Sequence, residues 1–380
     1  MSTSRRQALA AASLLATAVA TRAAAKTPAG RAPRMHAWQV GAQQGIDSLE
    51  QVERDAPLPG PGEVLVAVRA SALNHRDLSI AAGHYGKPKP ASRIPLGDGA
   101  GEVIALGAGV AGIAVGERVT APHFSTWLDG AYQPSVFEGD LGNGRDGWLA
   151  ERIVLPATSL VRIPDGLSYE DAAALGAAAI TAWSVLETFA GVKPGDVVLT
   201  LGTGGVAVLA LQIARLAGAR VAITSSSDAK LARVRALGAS ICVNYRTTPQ
   251  WHEVVMAATG GRGVDIVVET VGVSTLPQSL RCCAPNARIG LLGALGKPAE
   301  VQGLGALMPM IGANAVIKGI TSGSRRMHED LLRAFASAGM RPSIDRVFGF
   351  EDAAAAYRYL EAGDFVGKIV IRHEAPARRP

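Results

Sequence analysis

The chain is poor in cysteine, and the three it has, Cys242, Cys282 and Cys283, all follow residue 241. Nothing earlier can supply a thiolate. The adjacent pair Cys282-Cys283 cannot readily close an unstrained disulfide, and three scattered thiols make neither a disulfide framework nor a tetrahedral zinc site. Acid is missing from the start: the first carboxylate is Asp47, so Arg5, Arg6, Arg22, Lys26, Arg31 and Arg34 are uncompensated and equal the whole formal charge of +6. Aromatics make up 5% of the chain. No basic face with interleaved aromatics follows, which sets aside a nucleic-acid partner. Long apolar runs are also lacking. The stretch Ala8–Ala20 falls short of the roughly 20 residues that span a bilayer, so no integral membrane span is expected.

With Ser4-Arg5-Arg6-Gln7 before it and Ala23-Ala24-Ala25 after it, that stretch reads as a twin-arginine-like export signal over residues 1–25, and a periplasmic location is the expectation. An acid-poor transit peptide is the alternative, with a cytoplasmic protein if the signal does not function.

What is present is a change of texture. Short β-like runs broken by turns, Glu63–Ala70, Gly101–Leu106 and Glu117–Ala121, predict a mostly antiparallel β domain. From about residue 168 strands alternate with helices: a helix Tyr169–Phe189, then strands at Val197–Leu201, Arg220–Thr224, Ile266–Glu269 and Arg288–Leu292. That alternation predicts a doubly wound parallel sheet in an α/β chain. The last segment, Arg346–Arg372, returns to a strand, helix, strand rhythm and is expected to rejoin the first domain.

The apolar strand Val197–Leu201 runs into Gly202-Thr203-Gly204-Gly205-Val206-Ala207 and then an amphipathic helix. This is a dinucleotide-binding fingerprint in its proper context. Gly202 permits the tight turn, Gly204 lets the backbone approach a pyrophosphate, and Ala207 lets helix pack on strand. The next strand ends not in the acid that would hold the ribose of NAD but in Thr224-Ser225-Ser226-Ser227. Hydroxyls at Ser225 and Ser226, with Lys230 and Tyr245-Arg246 beyond, predict a donor-rich pocket suited to the 2′-phosphate of NADPH, with NADH the alternative. Asp228 is a helix cap or a group that repels that phosphate.

Taken in order from about Met35 to Arg372, the stretches Asn74-His75-Arg76-Asp77, Gly97-Asp98-Gly99-Ala100-Gly101, Ile180-Thr181-Ala182-Trp183, the Gly202 fingerprint and Phe365-Val366-Gly367-Lys368 resemble the medium-chain dehydrogenases/reductases, particularly the quinone-oxidoreductase-like members. The resemblance implies a GroES-like domain at 35–162 and 323–373 and a Rossmann domain at 163–322, with a linker at 26–34, a tail at 374–380 and the active site in the cleft. It further implies cofactor contacts from Thr181, Thr270, Val271, Leu292, Gly293 and Lys368, and a homodimer through the edge of the Rossmann sheet.

Zinc-dependent members hold their metal with two cysteines and a histidine. By resemblance those places are filled by Asn74, Gly97 and Ala177, and the cysteine-rich lobe has no counterpart in 121–147. A site without metal is therefore expected. Hydride transfer must then rely on hydrogen bonds to the oxygen that gains charge, which suits quinones and α,β-unsaturated carbonyls. Tyr85, on the loop Gly83-His84-Tyr85-Gly86, sits where related enoyl reductases carry a proton donor, and Asn74 is expected to orient the substrate carbonyl or the cofactor amide. His75, His84 and His123 are the imidazoles near the cleft. Asp77 and Asp98 read as structural. An alcohol dehydrogenase with a rebuilt metal site and a non-catalytic NADPH-binding module remain as alternatives.

Overall fold

The computed structural model describes residues 33–293 and 304–373. The proposed signal, most of the linker and the tail lie outside the described residues. Two sheets dominate. In the first, seven strands are ordered edge to edge as Ile344–Gly349, Lys368–Arg372, Glu63–Ala72, Asp98–Leu106, Arg118–Thr120 and Val161–Arg162, with Arg152–Pro156 also on Glu63–Ala72. Every pairing is antiparallel except Ile344–Gly349 with Lys368–Arg372. A separate antiparallel pair, Arg34–Gln39 with Glu50–Asp55, lies beside it.

The second sheet has six strands, all parallel, in the order Ile241–Asn244, Arg220–Ser225, Val197–Leu201, Val264–Glu269, Cys283–Leu291, Val316–Gly319. Parallel neighbours need helical crossovers that cover both faces, so their strands carry unbroken apolar runs. Val197–Leu201 is buried at every position. The strand order reverses between Val197–Leu201 and Val264–Glu269, and ligands of such sheets bind at the carboxyl ends of the strands at this switch point. There the Thr270 hydroxyl donates to the carbonyl of Leu201 at 2.8 Å, tying the two strand ends together.

The mixed α/β chain thus carries a GroES-like antiparallel domain and a Rossmann sheet. One core joins them: Ala70, Ala72 and Ala100 of the first sheet share a cluster with Val198, Ile266 and Val268 of the second. Between the sheets run Tyr169–Ala174 and Ala177–Trp183, whose buried faces are almost wholly alanine. Small side chains let helix backbones approach both sheets.

The single helix expected over Tyr169–Phe189 is instead two helices and a widened turn at Ser184–Phe189. The break falls at Gly176, where a Cβ would collide with the Asp98 carboxylate, and Asp98 Oδ1 accepts from the Ala177 amide at 2.8 Å. A buried acid on a neighbouring strand caps the second helix and so ends the first.

Gly99 faces the buried indole of Trp148, into which an added methyl would be driven. Gly99→Ala should therefore cost about 1–3 kcal/mol, the usual range for overpacking, read as a lower urea midpoint at unchanged slope.

Candidate functional site

The helix His75–Ala81 starts at Asn74, whose backbone amide donates to Asp77 Oδ2 at 2.7 Å. Asp77 and Asn74 form a capping box at the helix start, and the Asn74 side chain also reaches beyond it. Its Nδ2 donates to Asp98 Oδ2 at 2.7 Å, and its Oδ1 accepts from Lys368 Nζ at 2.8 Å. The same ammonium donates to the carbonyl of Leu73 at 2.7 Å and lies 3.6 Å from Asp98 Oδ2. Lys368 and Asp98 are fully buried. Burial pulls the lysine below its ordinary value, while the charge of Asp98 works against that shift. Burial also lifts the carboxyl of Asp77 to about 6, with Arg76 opposing.

A second buried chain adjoins this cluster. Arg76 Nη1 donates to Asp140 Oδ1 at 2.6 Å and Nη2 to the carbonyl of Leu141 at 2.7 Å. His123 Nδ1 lies 3.1 Å from the same Asp140 oxygen, and its Nε2 lies 3.0 Å from Ser322 Oγ. Burial would raise Asp140, but the guanidinium of Arg76 holds it well below the usual carboxylate range. His123 is lowered by burial and by Arg76, with Asp140 opposing, and so favours the neutral form.

A zinc ion of the family's kind does not fit these residues. A Cβ at Gly97 would collide with Arg76 Nη2 and lie 2.9 Å from His123 Cβ, so the space where a side chain at 97 would stand is filled by those two side chains. Asp98 is committed to Asn74, Ala177 and Lys368, and an ammonium already satisfies the Asn74 oxygen. Among the described residues no three His, Cys, Asp or Glu side chains converge. The cysteines are free, and burial raises all three thiols, Cys283 to about 12.

The residues present do fit a dinucleotide. Gly202 has φ of +79° and its amide donates to Thr224 at the end of the next strand. Gly204 precedes the helix Gly205–Leu216 and has open space where a Cβ would stand, so backbone amides can meet a phosphate directly. Thr203 is buried, and its carbonyl accepts from the Gly367 amide at 3.0 Å; Val206 is half-buried. Around the switch point gather Thr270, Val271, Leu292 and Gly293, drawn in by the fully buried Glu269. Its carboxylate accepts from the Val271 and Gly272 amides and from Thr275 and Ser279, and its carbonyl accepts from the Leu292 amide. A side chain at Gly293 would collide with the carbonyl of Thr270.

Other expected contacts are placed differently. The Lys368 ammonium points into the Asn74–Asp98 cluster, because two oxygens and a carboxylate there satisfy its charge, and only its stem passes the fingerprint, beside Gly205. Lys230 turns from the ribose pocket to the carbonyl of Gly363 and to Asp364 at 3.6 Å, a backbone oxygen and an acid that the linear sequence puts far away. Ser225 and Tyr245 do meet, the Tyr245 amide donating to the Ser225 carbonyl, with half-buried Ser226 next in chain. Ser227 caps the helix Asp228–Ala236, and Asp228 accepts from Asn244 at 3.0 Å. The Thr181 hydroxyl bonds back to Ala177 in its own helix. Tyr85 is half-buried, its ring 5.9 Å from the Arg76 guanidinium. His75 and His84 are exposed. Sequence reasoning missed Asp140, Ser322, Glu269 and His328; their only signal is proximity across more than one element.

Residues 60–165 match the alcohol dehydrogenase GroES-like domain, and residues 205–337 match the family described as zinc-binding dehydrogenase. The latter span excludes positions 74, 97 and 177. A zinc-type alcohol dehydrogenase-like protein of Schizosaccharomyces pombe is 40% identical over 332 residues, covering 86% of this chain and 96% of that one. The chain belongs to the medium-chain dehydrogenase/reductase family. Its fold matches a crystal structure of an NAD-dependent alcohol dehydrogenase at TM-score 0.80 and 34% identity, covering 89% and 99% of the two chains. A quinone oxidoreductase of Pseudomonas syringae matches at TM-score 0.74 and 29% identity, again covering 89% and 99%. The protein is thus an oxidoreductase of a family that binds a nicotinamide cofactor.

Two predictions follow from the buried charges. Asp98→Ala strips Lys368 of its counter-charge and uncaps the helix Ala177–Trp183, so it should cost about 3–5 kcal/mol by chemical denaturation, the range for a buried pair broken on one side. His328 is fully buried with neither ring nitrogen partnered among the described residues, and burial lowers it from 6.5 to about 4. Between those values the unfolded chain binds the proton and the fold does not, so stability falls as pH drops through that window. Asp77, raised to about 6, takes up its proton in the fold before the unfolded chain does and opposes this decline between about 6 and its ordinary value of 3.8. His328→Phe should flatten the acid decline in melting temperature.

Proposed function

We propose that this oxidoreductase uses NADPH to reduce an activated carbonyl, a quinone or an α,β-unsaturated ketone or aldehyde, without zinc. The observation that carries this reading is the Lys368 ammonium buried against Asn74 and 3.6 Å from Asp98, Asn74 being the position that by resemblance carries a zinc ligand in zinc-dependent members. An ammonium in that place repels a second cation. When bound, the dihydronicotinamide supplies the hydride. The fingerprint Gly202–Val206 holds the pyrophosphate at the helix N-terminus, while Thr181, Thr270, Val271, Leu292 and Gly293 border the nicotinamide end. Ser225, Ser226 and Tyr245 face the 2′-phosphate; with Lys230 engaged elsewhere, the preference over NADH is expected to be modest. Asn74, fixed on both sides by Asp98 and Lys368, orients the acceptor, and Tyr85 gives the proton to the α-carbon of an enone. Ordered donors of this kind stabilise developing charge without reorganising.

The exposed Val316, Ile311 and Met308 beside the terminal parallel strand support a homodimer through that edge. The arginine pair before residues 8–20 supports export to the periplasm.

Metal-stripped protein should oxidise NADPH, and NADH more slowly, with quinones and enones. Tyr85→Phe should slow enone reduction on the order of 100-fold, as loss of a general acid does. Activity confined to alcohols or simple aldehydes and restored by zinc would overturn the reading, and tight NADPH binding without turnover on any acceptor would favour a non-catalytic module.

A further inference from the structure

The chain Arg76–Asp140–His123–Ser322 has no part in hydride delivery, yet it is built like a proton path. Arg76 Nη1 and His123 Nδ1 converge on one oxygen, Asp140 Oδ1, at 2.6 and 3.1 Å. With the imidazole hydrogen on Nδ1, both groups donate to Asp140 and Nε2 accepts from the Ser322 hydroxyl at 3.0 Å, while Arg76 Nη1 also stands 3.2 Å from Nδ1. All of Ser322, His123 and Asp140 are buried. The charged and titratable groups facing His123 are Arg76, Asp140, Asp98 and His328.

Ser322 is held at φ of +117°, a region that a residue with a Cβ rarely adopts and that costs about 1–3 kcal/mol unless the surroundings impose it. It lies just beyond the carboxyl end of the strand Val316–Gly319, on the ligand-binding side of the sheet. The next residue, Gly323, packs on Ile180, beside Thr181 at the nicotinamide end. His123 comes from the first domain, so the serine and the imidazole meet where the two halves of the chain face each other. Gly97 makes the meeting possible, since any side chain there would displace Arg76 and His123 together.

We propose that Ser322, with His123 and Asp140 behind it, is the catalytic residue that passes a proton to the substrate's oxygen, and that the site accordingly serves quinones, whose reduction ends on oxygen. This rests on the hydride-transfer reading above. A quinone that accepts hydride, as the dihydronicotinamide is oxidised, becomes a hydroquinone monoanion. The Ser322 O–H bond breaks as the new O–H bond of the hydroquinone forms. The serine oxygen takes a proton from Nε2 of His123, which is neutral at rest, is protonated from water as the negative charge forms beside it, and returns to its Nδ1–H form facing Asp140. The sum is quinone plus hydride plus one proton giving hydroquinone. Tyr85 keeps the separate task of protonating carbon.

The test compares wild type, Ser322→Ala, His123→Gln and Tyr85→Phe on a water-soluble benzoquinone and on an enone, with NADPH, in H2O and D2O. Melting temperature and NADPH affinity serve as controls for folding and cofactor binding. Ser322→Ala and His123→Gln should lower kcat on the quinone on the order of 100-fold and abolish its solvent isotope effect, while the enone rate stays within a few-fold; Tyr85→Phe should do the reverse. Ser322→Thr, which restores a hydroxyl, should recover part of the quinone rate. An active wild type whose quinone rate and isotope effect survive Ser322→Ala, or whose two substrates fall equally, would overturn this proposal alone. Wild-type protein inert to both substrates would overturn the hydride-transfer reading and this proposal with it.

Discussion

The arrangement of the cleft depends on one buried contact set, the Lys368 ammonium shared among Leu73, Asn74 and Asp98. The groups come from four places: Leu73 just past a long strand, Asn74 capping the next helix, Asp98 at the first residue of the following strand and Lys368 at the first residue of the last one. A charge cannot be left dry without partners, so these four elements are fixed relative to one another by the need to satisfy it. Asp98 extends the constraint by capping the helix Ala177–Trp183, which carries Thr181. The cluster therefore sets the positions of the residues on both sides of the cleft.

The neighbouring Arg76–Asp140–His123 group closes the space around Gly97. A guanidinium and an imidazole pack against the glycine's backbone, and a side chain at position 97 would require moving both. The two are held there through their shared partner Asp140, so the space they fill is kept by packing.

Much of this fold was legible in the chain. Periodicity and the Gly202 turn identify the parallel sheet, because strands buried on both faces must read as apolar runs and because a left-handed backbone at a strand end calls for glycine. The break at Gly176 was not legible, since its cause is Asp98 on another strand. Nor was the fate of Lys230 or Lys368. A long flexible cation chooses among oxygens that only the tertiary structure brings near, and local sequence cannot rank them. Ser322 left no signal at all, as a strained φ belongs to the backbone path and not to the residue type. The glycine turn is marked well because its backbone path calls for particular residue types, whereas the Asn74–Asp98–Lys368 cluster is made of side chains from distant segments.

The strand Lys368–Arg372 has a consequence for how the protein comes into being. It is inserted between Ile344–Gly349 and Glu63–Ala72, and it carries the lysine that neutralises a site begun by residues 74 and 98. Until residue 368 and those after it have been synthesised, the strand Glu63–Ala72 lacks its partner at residues 70–72 and Asp98 has no cation. The parallel sheet is built from sequence that precedes it, residues 197–319. Synthesis from one end thus becomes an ordering device: the parallel sheet can be complete before the antiparallel one closes.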